Sequence, residues 1–470
     1  MRVSFSTMLS LTLRGGTLTE TYMPRVAFIL VAGLDQHLFK QAGAPPELAN
    51  FRFRGSYQPV VPAVTCSMQA TLTTGLSPAE HGIIANGLFT HDRTDLHAKL
   101  DLSNFAPFRK QTSFWEQASS LVNGRRFWHD KNKKTAMMFW QQSMPDAADI
   151  ILTPKPDHTP DGKTISICWS RPTDLYPRLA EKLGQFPLHH YWGPMAGMPS
   201  SEWIIASARE VWQTQRPDLL LLYVPQLDYN LQRLGPDSPV PAKEATDVSR
   251  LLGPLIEQVR ADGGVPVVAG DYGITVVNQA DMPNLALRRA GLLTTIPDEQ
   301  GKLLIDYAKS RAVAMVDHQI AHVYCAADAL EAVVESLRML PSVDRVLITP
   351  SEKASGGLGG DRTGTVVLLS RRDAWFAHDW WESDAEKPAW QFSVDIHRKP
   401  GYDPRELLFD PVKKCISQDV LRIKGSHGTP PNPENCPMLF ADVPLPAALN
   451  QSTGALPHAT DIAAWLQSQL

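Results

Sequence analysis

The chain has 470 residues, of which 43% are hydrophobic and 20% are charged, and it carries a formal charge of −4. This ordinary globular composition, without a Lys- or Arg-rich run, excludes a basic polyanion-binding protein, and we expect no nucleic-acid partner. No apolar run reaches the roughly 18 residues of a transmembrane helix, so we also expect no membrane span.

The five cysteines lie at wide spacings and form no CxxC pair. An odd count in this arrangement predicts neither a disulfide framework nor a cysteine zinc site. The pattern fits a reducing compartment, and we therefore expect a cytoplasmic protein.

The N-terminal stretch begins with a positive charge, but Ser, Thr and Arg14 interrupt its apolar middle. A secretory signal needs a cleaner apolar run. We therefore expect residues 1–22 to be a disordered extension, with a targeting signal as the alternative. Met23 directly precedes RVAFILVAG, which predicts the first strand, so the folded domain is expected over 23–470.

Short apolar runs then alternate with amphipathic stretches, a pattern typical of a mainly parallel sheet flanked by helices. The predicted strands cover residues 26–33, 135–140, 218–225, 265–270, 321–326, 345–350 and 365–370. Helices are predicted over 201–215 and 241–264, and each leads into a strand. Segments rich in polar residues, Pro or Trp break the pattern, at 88–134, 144–200 and 371–420. The sequence thus predicts an α/β domain in which these insertions form a cap or rim.

Polar residues follow three of the predicted strands at their carboxyl ends, where open α/β sheets bind ligands. Asp35 follows the first strand, Asp228 the third and Asp271 the fourth. Thr65 precedes a helical run that ends near Gly75, which places its hydroxyl at a helix N-terminus, where the dipole and the N–H groups favour a phosphate. Each residue also has an ordinary alternative role, since Asp and Thr often cap helices or turns.

Four motifs in the chain carry a family resemblance. TCSMQATLTTGLSPAEHGI begins at Thr65, YVPQLDYNLQRLGPD at Tyr223, AGDYGI at Ala269 and GSHG at Gly425. In order and rough spacing they resemble the nucleophile motif and the later metal-ligand motifs of the alkaline phosphatase superfamily, in its nucleotide pyrophosphatase/phosphodiesterase branch. The likeness is greatest to bacterial members, extends over most of residues 24–445 and implies an alkaline-phosphatase-like α/β fold.

This resemblance implies phosphoryl transfer at two metal ions, commonly zinc, held by six Asp and His side chains. A threonine, here Thr65, attacks phosphorus in line and forms a phospho-enzyme that water then hydrolyses. The metal ligands retained in this sequence are Asp228, Asp271 and His427. The implied partner is a small-molecule phosphate ester, which the cap selects.

Three of the implied metal-ligand positions carry other residues, namely Ala32, Gln232 and Tyr272. Asp35 lies three residues beyond Ala32 and would have to reach back to act as a ligand. Two protein ligands per ion are few for zinc, which in catalytic sites usually has three and a water. We therefore expect a reduced site for a divalent metal, with one ion or none, in which Gln232 and Tyr272 hydrogen-bond the substrate.

Two further segments offer candidate ligands for the missing positions. VDHQIAHVY supplies His318 and His322, and VDIHRKPGYDP supplies Asp395 and His397. Asp395 and His397 share one strand face if their segment is extended. The alternative is that these histidines cap strands or form hydrogen bonds inside the fold.

The sequence thus predicts a phosphoric ester hydrolase, of phosphodiesterase or nucleotide pyrophosphatase type, that uses Thr65 and a reduced metal site. Arg398 and Lys399 offer cationic charge in place of a missing ion. Two alternatives stay open. One is a non-catalytic or weakly catalytic phosphoryl-ligand binding protein derived from such enzymes. The other is a metal hydrolase whose site is relocated to the histidines of VDHQIAHVY or VDIHRKPGYDP.

Overall fold

The computed structural model describes residues 24–89, 112–114, 118–129, 132–158, 164–396, 398–446 and 456–470. The predictions for residues 1–22, for His397 and for most of the 88–134 insertion lie outside these ranges. None of the helices within them is long and apolar enough to span a membrane. The five cysteines, all inside the described ranges, are free thiols.

The secondary-structure elements follow in chain order. The helices are α1 Gln36–Gln41, α2 Pro46–Ala49, α3 Thr65–Thr74, α4 Pro78–His81, α5 Leu175–Leu183, α6 Met198–Gln215, α7 Gln226–Leu234, α8 Pro239–Ala261, α9 Pro283–Arg289, α10 Leu330–Arg338, α11 Pro350–Ser355 and α12 Ala459–Ser468. The strands are β1 Val26–Val31, β2 Phe53–Ser56, β3 Gly87–Phe89, β4 Thr112–Phe114, β5 Thr135–Met138, β6 Ile150–Pro154, β7 Asp157–His158, β8 Thr164–Ile165, β9 Cys168–Arg171, β10 Leu219–Val224, β11 Val265–Gly270, β12 Thr275–Val276, β13 Gln279–Asp281, β14 Thr295–Pro297, β15 Leu303–Ile305, β16 Ala312–Asp317, β17 Ile320–Cys325, β18 Val343–Leu347, β19 Val366–Ser370, β20 Ala374–Phe376, β21 Phe409–Asp410, β22 Cys415–Ile416, β23 Gly425–Ser426 and β24 Met438–Ala441.

An eight-stranded sheet forms the centre of the fold, in the order β2-β24-β11-β1-β10-β5-β6-β9. The middle strands from β11 to β6 run parallel, and β24, β2 and β9 pair antiparallel at the two edges. The predicted α/β fold with a mainly parallel sheet is confirmed. Every residue of β1 is buried, as expected for a parallel strand covered on both faces. Because β6 and β9 fall within 144–200, this part of the predicted insertion belongs to the sheet and not to a cap.

A second, four-stranded antiparallel sheet has the order β16-β17-β19-β18. Three strands predicted from apolar runs lie in it rather than in the central sheet: 321–326, 345–350 and 365–370. A short apolar run does not reveal which sheet it joins, because both kinds of strand are buried. The Trp-rich segment packs on this second sheet, where the rings of Trp380 and Trp381 lie 4.1 Å apart and share its core.

The central sheet places the motif residues together, at the carboxyl ends of its middle strands. Val31 pairs with both Val224 and Gly270, so β1, β10 and β11 end level with one another. The polar residues that follow these strands therefore come together. Helix α3 begins at Thr65, as the sequence predicts, and ends at Gly75, whose positive φ of 74° suits a residue without a side chain.

A buried charge network fixes the chain beyond β20. Arg405, which has no exposed surface, pairs with Asp379 at 2.6 Å and with Asp403 at 2.7 Å. Lys399 pairs with Asp403 at 3.0 Å and with Glu406 at 2.6 Å. Burial alone would raise the pKa of Asp403, but Arg405 and Lys399 hold that pKa below its usual range. Lys399 is therefore committed to this network, which removes it as the cationic substitute considered from the sequence.

Gly273, in the AGDYGI motif, lies where a β-carbon has no room. A β-carbon there would come within 1.8 Å of the Asn435 carbonyl oxygen and 2.8 Å of Asp35 Oδ2. We expect Gly273→Ala to lower the free energy of unfolding by about 1–3 kcal/mol or more, because the backbone must shift. Gly356→Ala is the matched control, since its nearest contact would be at 3.4 Å. Urea unfolding measures both variants, and equal losses of stability would contradict the prediction.

Arg405→Met tests the buried network. It would leave Asp379 and Asp403 buried without their main partner, so we expect a loss of about 3–5 kcal/mol in the free energy of unfolding. Arg289→Met is the control, because its pair with Glu382 is largely exposed and therefore screened by water. Thermal unfolding compares the two, and a melting temperature of the Arg405 variant equal to that of the control would refute a stabilising network.

Candidate active site

Thr65 lies in the first turn of α3, and its side chain is 1% exposed. The N-cap residue of α3 is Val64, which has extended backbone and makes no side-chain cap hydrogen bond. Thr65 is therefore the first residue of the helix and not its N-cap. The Thr65 Oγ1 atom lies 3.2 Å from the Tyr272 hydroxyl and 3.4 Å from the Tyr223 hydroxyl. The Thr65 hydroxyl, at a helix N-terminus, thus lies within hydrogen-bond distance of two phenols.

Asp228, in the first turn of α7, is hydrogen-bonded through both carboxylate oxygens. Tyr272 donates its hydroxyl to Oδ1 at 3.1 Å, and Gln232 donates Nε2 to Oδ2 at 2.6 Å. Gln232 lies four residues further along the same helix, a spacing that brings the two side chains to one face. Burial raises the pKa of Asp228 to about 7, and these two hydrogen bonds oppose the rise.

Asp271 follows β11 and is fully buried. Its Oδ1 accepts the backbone N–H groups of Gly33 at 3.0 Å and of Tyr272 at 2.9 Å. Its Oδ2 is buried without a hydrogen-bond partner among the described residues. Burial raises the pKa of Asp271 well above its usual value, and the nearby Asp228 carboxylate raises it further.

Four rings form a continuous stack beside these carboxylates. Tyr272 and His427 are nearly parallel, with centroids 3.6 Å apart and an interplanar angle of 6°. His427 and His318 follow at 3.8 Å, and His318 and Tyr402 also lie at 3.8 Å. Tyr272 follows β11 and His427 follows β23, so the stack joins the ends of these strands to the turn between β16 and β17 and to the segment that follows β20.

Both histidines of the stack use Nδ1 for a structural hydrogen bond. His318 Nδ1 lies 2.6 Å from Asp317 Oδ1, and His427 Nδ1 lies 2.7 Å from the Ala63 carbonyl oxygen. Their Nε2 atoms are buried without hydrogen-bond partners among the described residues, although His427 Nε2 lies 3.7 Å from Asp228 Oδ1. Burial lowers the pKa of both imidazoles well below the usual value, so each is neutral with a lone pair on Nε2.

Three of the additional ligand candidates have other roles. Asp35 caps α1, because its Oδ1 accepts the Leu38 N–H at 2.7 Å, so the capping alternative holds and it does not reach back to the site. His322 lies within β17 between the Ile84 carbonyl oxygen and the Gly364 N–H, and it is structural. Asp395 is ion-paired with Arg398. His397 lies outside the described residues. Among the candidates of this group that the structure describes, only His318 joins the site.

Asn86, which the sequence motifs did not indicate, links the first turn of α3 to Asp317, the hydrogen-bond partner of His318. Its Oδ1 accepts the Cys66 N–H at 3.0 Å, and its own N–H donates to Asp317 Oδ2 at 2.6 Å. The only signal in the sequence is its position three residues after the HGI turn. Tyr402 was also missed; its hydroxyl lies 3.1 Å from Gln232 Nε2.

The donor set does not fit the divalent metal that the resemblance implies. No three His, Cys, Asp or Glu side chains within the described ranges converge as metal ligands. At the position of one implied ligand stands Tyr272, whose hydroxyl lies 3.2 Å from Thr65 Oγ1 and 3.1 Å from Asp228 Oδ1 and hydrogen-bonds both. Asp228, Asp271 and His427 are therefore brought together, but around hydrogen bonds and stacked rings.

Comparison with solved structures supports the fold. The chain is similar to phosphonoacetate hydrolase from Sinorhizobium meliloti in complex with phosphonoformate, with a TM-score of 0.60 and 15% identity, over 95% of this chain and 96% of that one. It is also similar to an inactive variant of murine ectonucleotide pyrophosphatase/phosphodiesterase 5 in complex with AMP, with a TM-score of 0.55 and 16% identity, over 95% and 94%. At these identities the likeness concerns the fold alone.

Sequence comparison gives the family. An uncharacterized pyrophosphatase/phosphodiesterase of Schizosaccharomyces pombe is 23% identical over 241 residues, which is 49% of this chain and only 41% of that relative. The family described as type I phosphodiesterase/nucleotide pyrophosphatase matches residues 26–403. This match covers most of the chain, and the chain therefore belongs to the type I phosphodiesterase/nucleotide pyrophosphatase family of the alkaline phosphatase superfamily.

Proposed function

We propose that the protein is a phosphoric ester hydrolase that acts on a small-molecule phosphodiester or pyrophosphate, with Thr65 as its nucleophile. Membership of the phosphodiesterase/nucleotide pyrophosphatase family supports a hydrolase. Two proteins of similar fold bind phosphonoformate and AMP, which are small phosphoryl ligands. The observation that carries the proposal is the position of the Thr65 hydroxyl, in the first turn of α3 and next to the Asp228-bound phenol of Tyr272.

The start of α3 suits the phosphoryl group of such a substrate. A ten-residue helix presents the positive end of its dipole and its first N–H groups at Thr65. Asn86 holds the Cys66 N–H and so fixes the direction of this first turn. Thr65 would attack phosphorus in line, and the alcohol or phosphate leaving group would depart. The phosphothreonine that forms keeps the other substituent of the substrate, and water would then hydrolyse its bond to Thr65.

The size of the barrier restricts the substrate. Positioning supplies about 7–11 kcal/mol and proton transfer by a neighbouring base about 3–5 kcal/mol. Hydrolysis of an unactivated phosphate ester needs on the order of 20 kcal/mol or more. The described side chains supply less than this, so the proposed substrate has a good leaving group, such as the phosphate of a phosphoanhydride.

A second candidate is a phosphoryl-ligand binding protein that does not turn its ligand over. The observation in its favour is that Ala32, Gln232 and Tyr272 replace implied metal ligands, so the site offers few ligands for the ions that the resemblance implies. Thr65 would then be only a hydrogen-bonding group for the ligand. The two candidates differ in whether a covalent phosphothreonine forms.

Thr65→Ala should abolish hydrolysis. We expect turnover of bis-para-nitrophenyl phosphate, a diester with a good leaving group, to fall at least about 10³-fold, because no other group replaces the nucleophile. Thr74→Ala on the same helix is the control, since its hydroxyl bonds only within the helix end. An acid quench followed by mass spectrometry should find a nitrophenyl-phosphoryl group on Thr65 in the wild type, because only one nitrophenol leaves in the first step. Unchanged turnover in the Thr65 variant would exclude it as the nucleophile.

Titration calorimetry with AMP separates the two candidates. For a hydrolase, we expect AMP to bind and to inhibit turnover of the diester competitively, because both occupy the start of α3. A binding protein would bind AMP stoichiometrically while releasing no nitrophenol and forming no phosphothreonine. Absence of both turnover and AMP binding would count against either function.

A further inference from the structure

We infer that the phenol of Tyr272 stands in for a metal ion at Thr65, so that proton transfer through Tyr272 to Asp228 activates the nucleophile without a divalent metal. This inference rests on the proposed hydrolase function and names the group that activates Thr65. It follows from the disagreement between the implied metal site and the donors that the chain places there.

The numbers of protons and lone pairs on the three groups determine the direction of the proton path. In its ionised form Asp228 only accepts hydrogen bonds, so the single proton of the Tyr272 hydroxyl is then directed to Asp228 Oδ1, at 3.1 Å. The Tyr272 oxygen then offers only lone pairs to Thr65 Oγ1, at 3.2 Å. The Thr65 proton is thereby aligned with an acceptor whose own proton is already aligned with a carboxylate.

The chain holds the phenol at this position from several sides. Its ring lies flat against His427, at 3.6 Å, and its backbone N–H is bound to Asp271. The next residue, Gly273, leaves no room for a β-carbon beside the Asn435 carbonyl oxygen, so the neighbouring chain confines the backbone there. The hydroxyl is therefore a rigid part of the site, held within hydrogen-bond distance of both Thr65 and Asp228.

Gln232 completes the arrangement. Its amide donates to Asp228 Oδ2 at 2.6 Å, which leaves Oδ1 for Tyr272. The amide is neutral at every working pH, so it orients the carboxylate without taking its proton-accepting oxygen. Gln232 is a positioning residue, whereas Tyr272 touches the reacting hydroxyl and is a catalytic residue.

Besides the substrate, the reaction needs no reactant other than water. In the first step Thr65 Oγ1 bonds to phosphorus and the bond to the leaving oxygen breaks; the Thr65 proton moves to Tyr272, and the Tyr272 proton moves to Asp228. The leaving oxygen takes a proton from water. In the second step water bonds to phosphorus and Oγ1 leaves, regaining a proton from Tyr272, which regains its own from Asp228. The remaining water proton neutralises the hydroxide formed in the first step.

Chelation and Tyr272→Phe test the inference on the full-length protein. We expect turnover of bis-para-nitrophenyl phosphate to stay within twofold after dialysis against EDTA and after addition of zinc. Tyr272→Phe keeps the ring stack but removes the relay, so kcat should fall about 10²–10⁴-fold while KM changes little. Tyr324→Phe, another buried tyrosine bonded to a carbonyl oxygen, is the control and should stay within twofold.

The outcomes separate this inference from the proposed function. Turnover that is lost on chelation and restored by zinc would overturn the relay but leave Thr65 and the hydrolase intact. Full kcat in Tyr272→Phe would do the same. No turnover by the wild type under any condition would overturn both.

A metal-binding variant gives a readout that does not depend on activity. Tyr272→His combined with Gln232→His removes the phenol and places two imidazoles near Asp228 and His427. We expect this double variant to retain zinc through dialysis at a stoichiometric level by elemental analysis, whereas the wild type retains none. Stoichiometric zinc in the wild type, or none in the double variant, would contradict the idea that Tyr272 occupies the place of the ion.

Discussion

The site depends on how two buried carboxylates, Asp228 and Asp271, are accommodated without a direct ion pair to Lys or Arg among the described residues. No Lys or Arg in the part of the chain that the structure describes forms an ion pair with Asp228 or Asp271. A buried carboxylate without compensation is costly, and proteins lower that cost with hydrogen bonds or by shifting its pKa. Both solutions are present: neutral donors from Gln232 and Tyr272 hold Asp228, backbone N–H groups hold Asp271, and burial raises both pKa values.

The same constraint explains why the site is assembled from so many parts of the chain. The level ends of β1, β10 and β11 bring the carboxylates together, but neutral rings must fill the space beside them. His318 comes from the turn between the first two strands of the second sheet, and Tyr402 from the segment that the Arg405 network holds. The second sheet and the charge network therefore serve the site by placing uncharged groups next to the charged ones.

The sequence predicts well the features that depend on local order along the chain. The parallel strands, the helix start at Thr65 and the family follow from short motifs, and the structure and the comparisons confirm them. It does not predict that His318 joins the site while His322 does not, because His318 lies in the turn before β17 and only the folded chain fixes the direction of that turn. The sequence alone also leaves undecided whether Asp35 is a metal ligand or a helix cap, because its side-chain partner Asn435 lies 400 positions away along the chain.

The charge of the site also restricts the phosphoryl group that it suits. Among the described residues, neutral donors and a ring stack surround Asp228, and the end of α3 offers a substrate a positive charge equivalent to about half an elementary charge. A phosphodiester carries one negative charge at the reacting phosphorus, whereas a phosphomonoester dianion carries two. The second charge of a dianion such as AMP would lie near two acidic side chains in a medium of low dielectric constant, so we expect AMP to bind there, but more weakly than a diester. Electrostatics and the barrier to hydrolysis therefore favour the same substrate: a singly charged diester or anhydride link with a good leaving group.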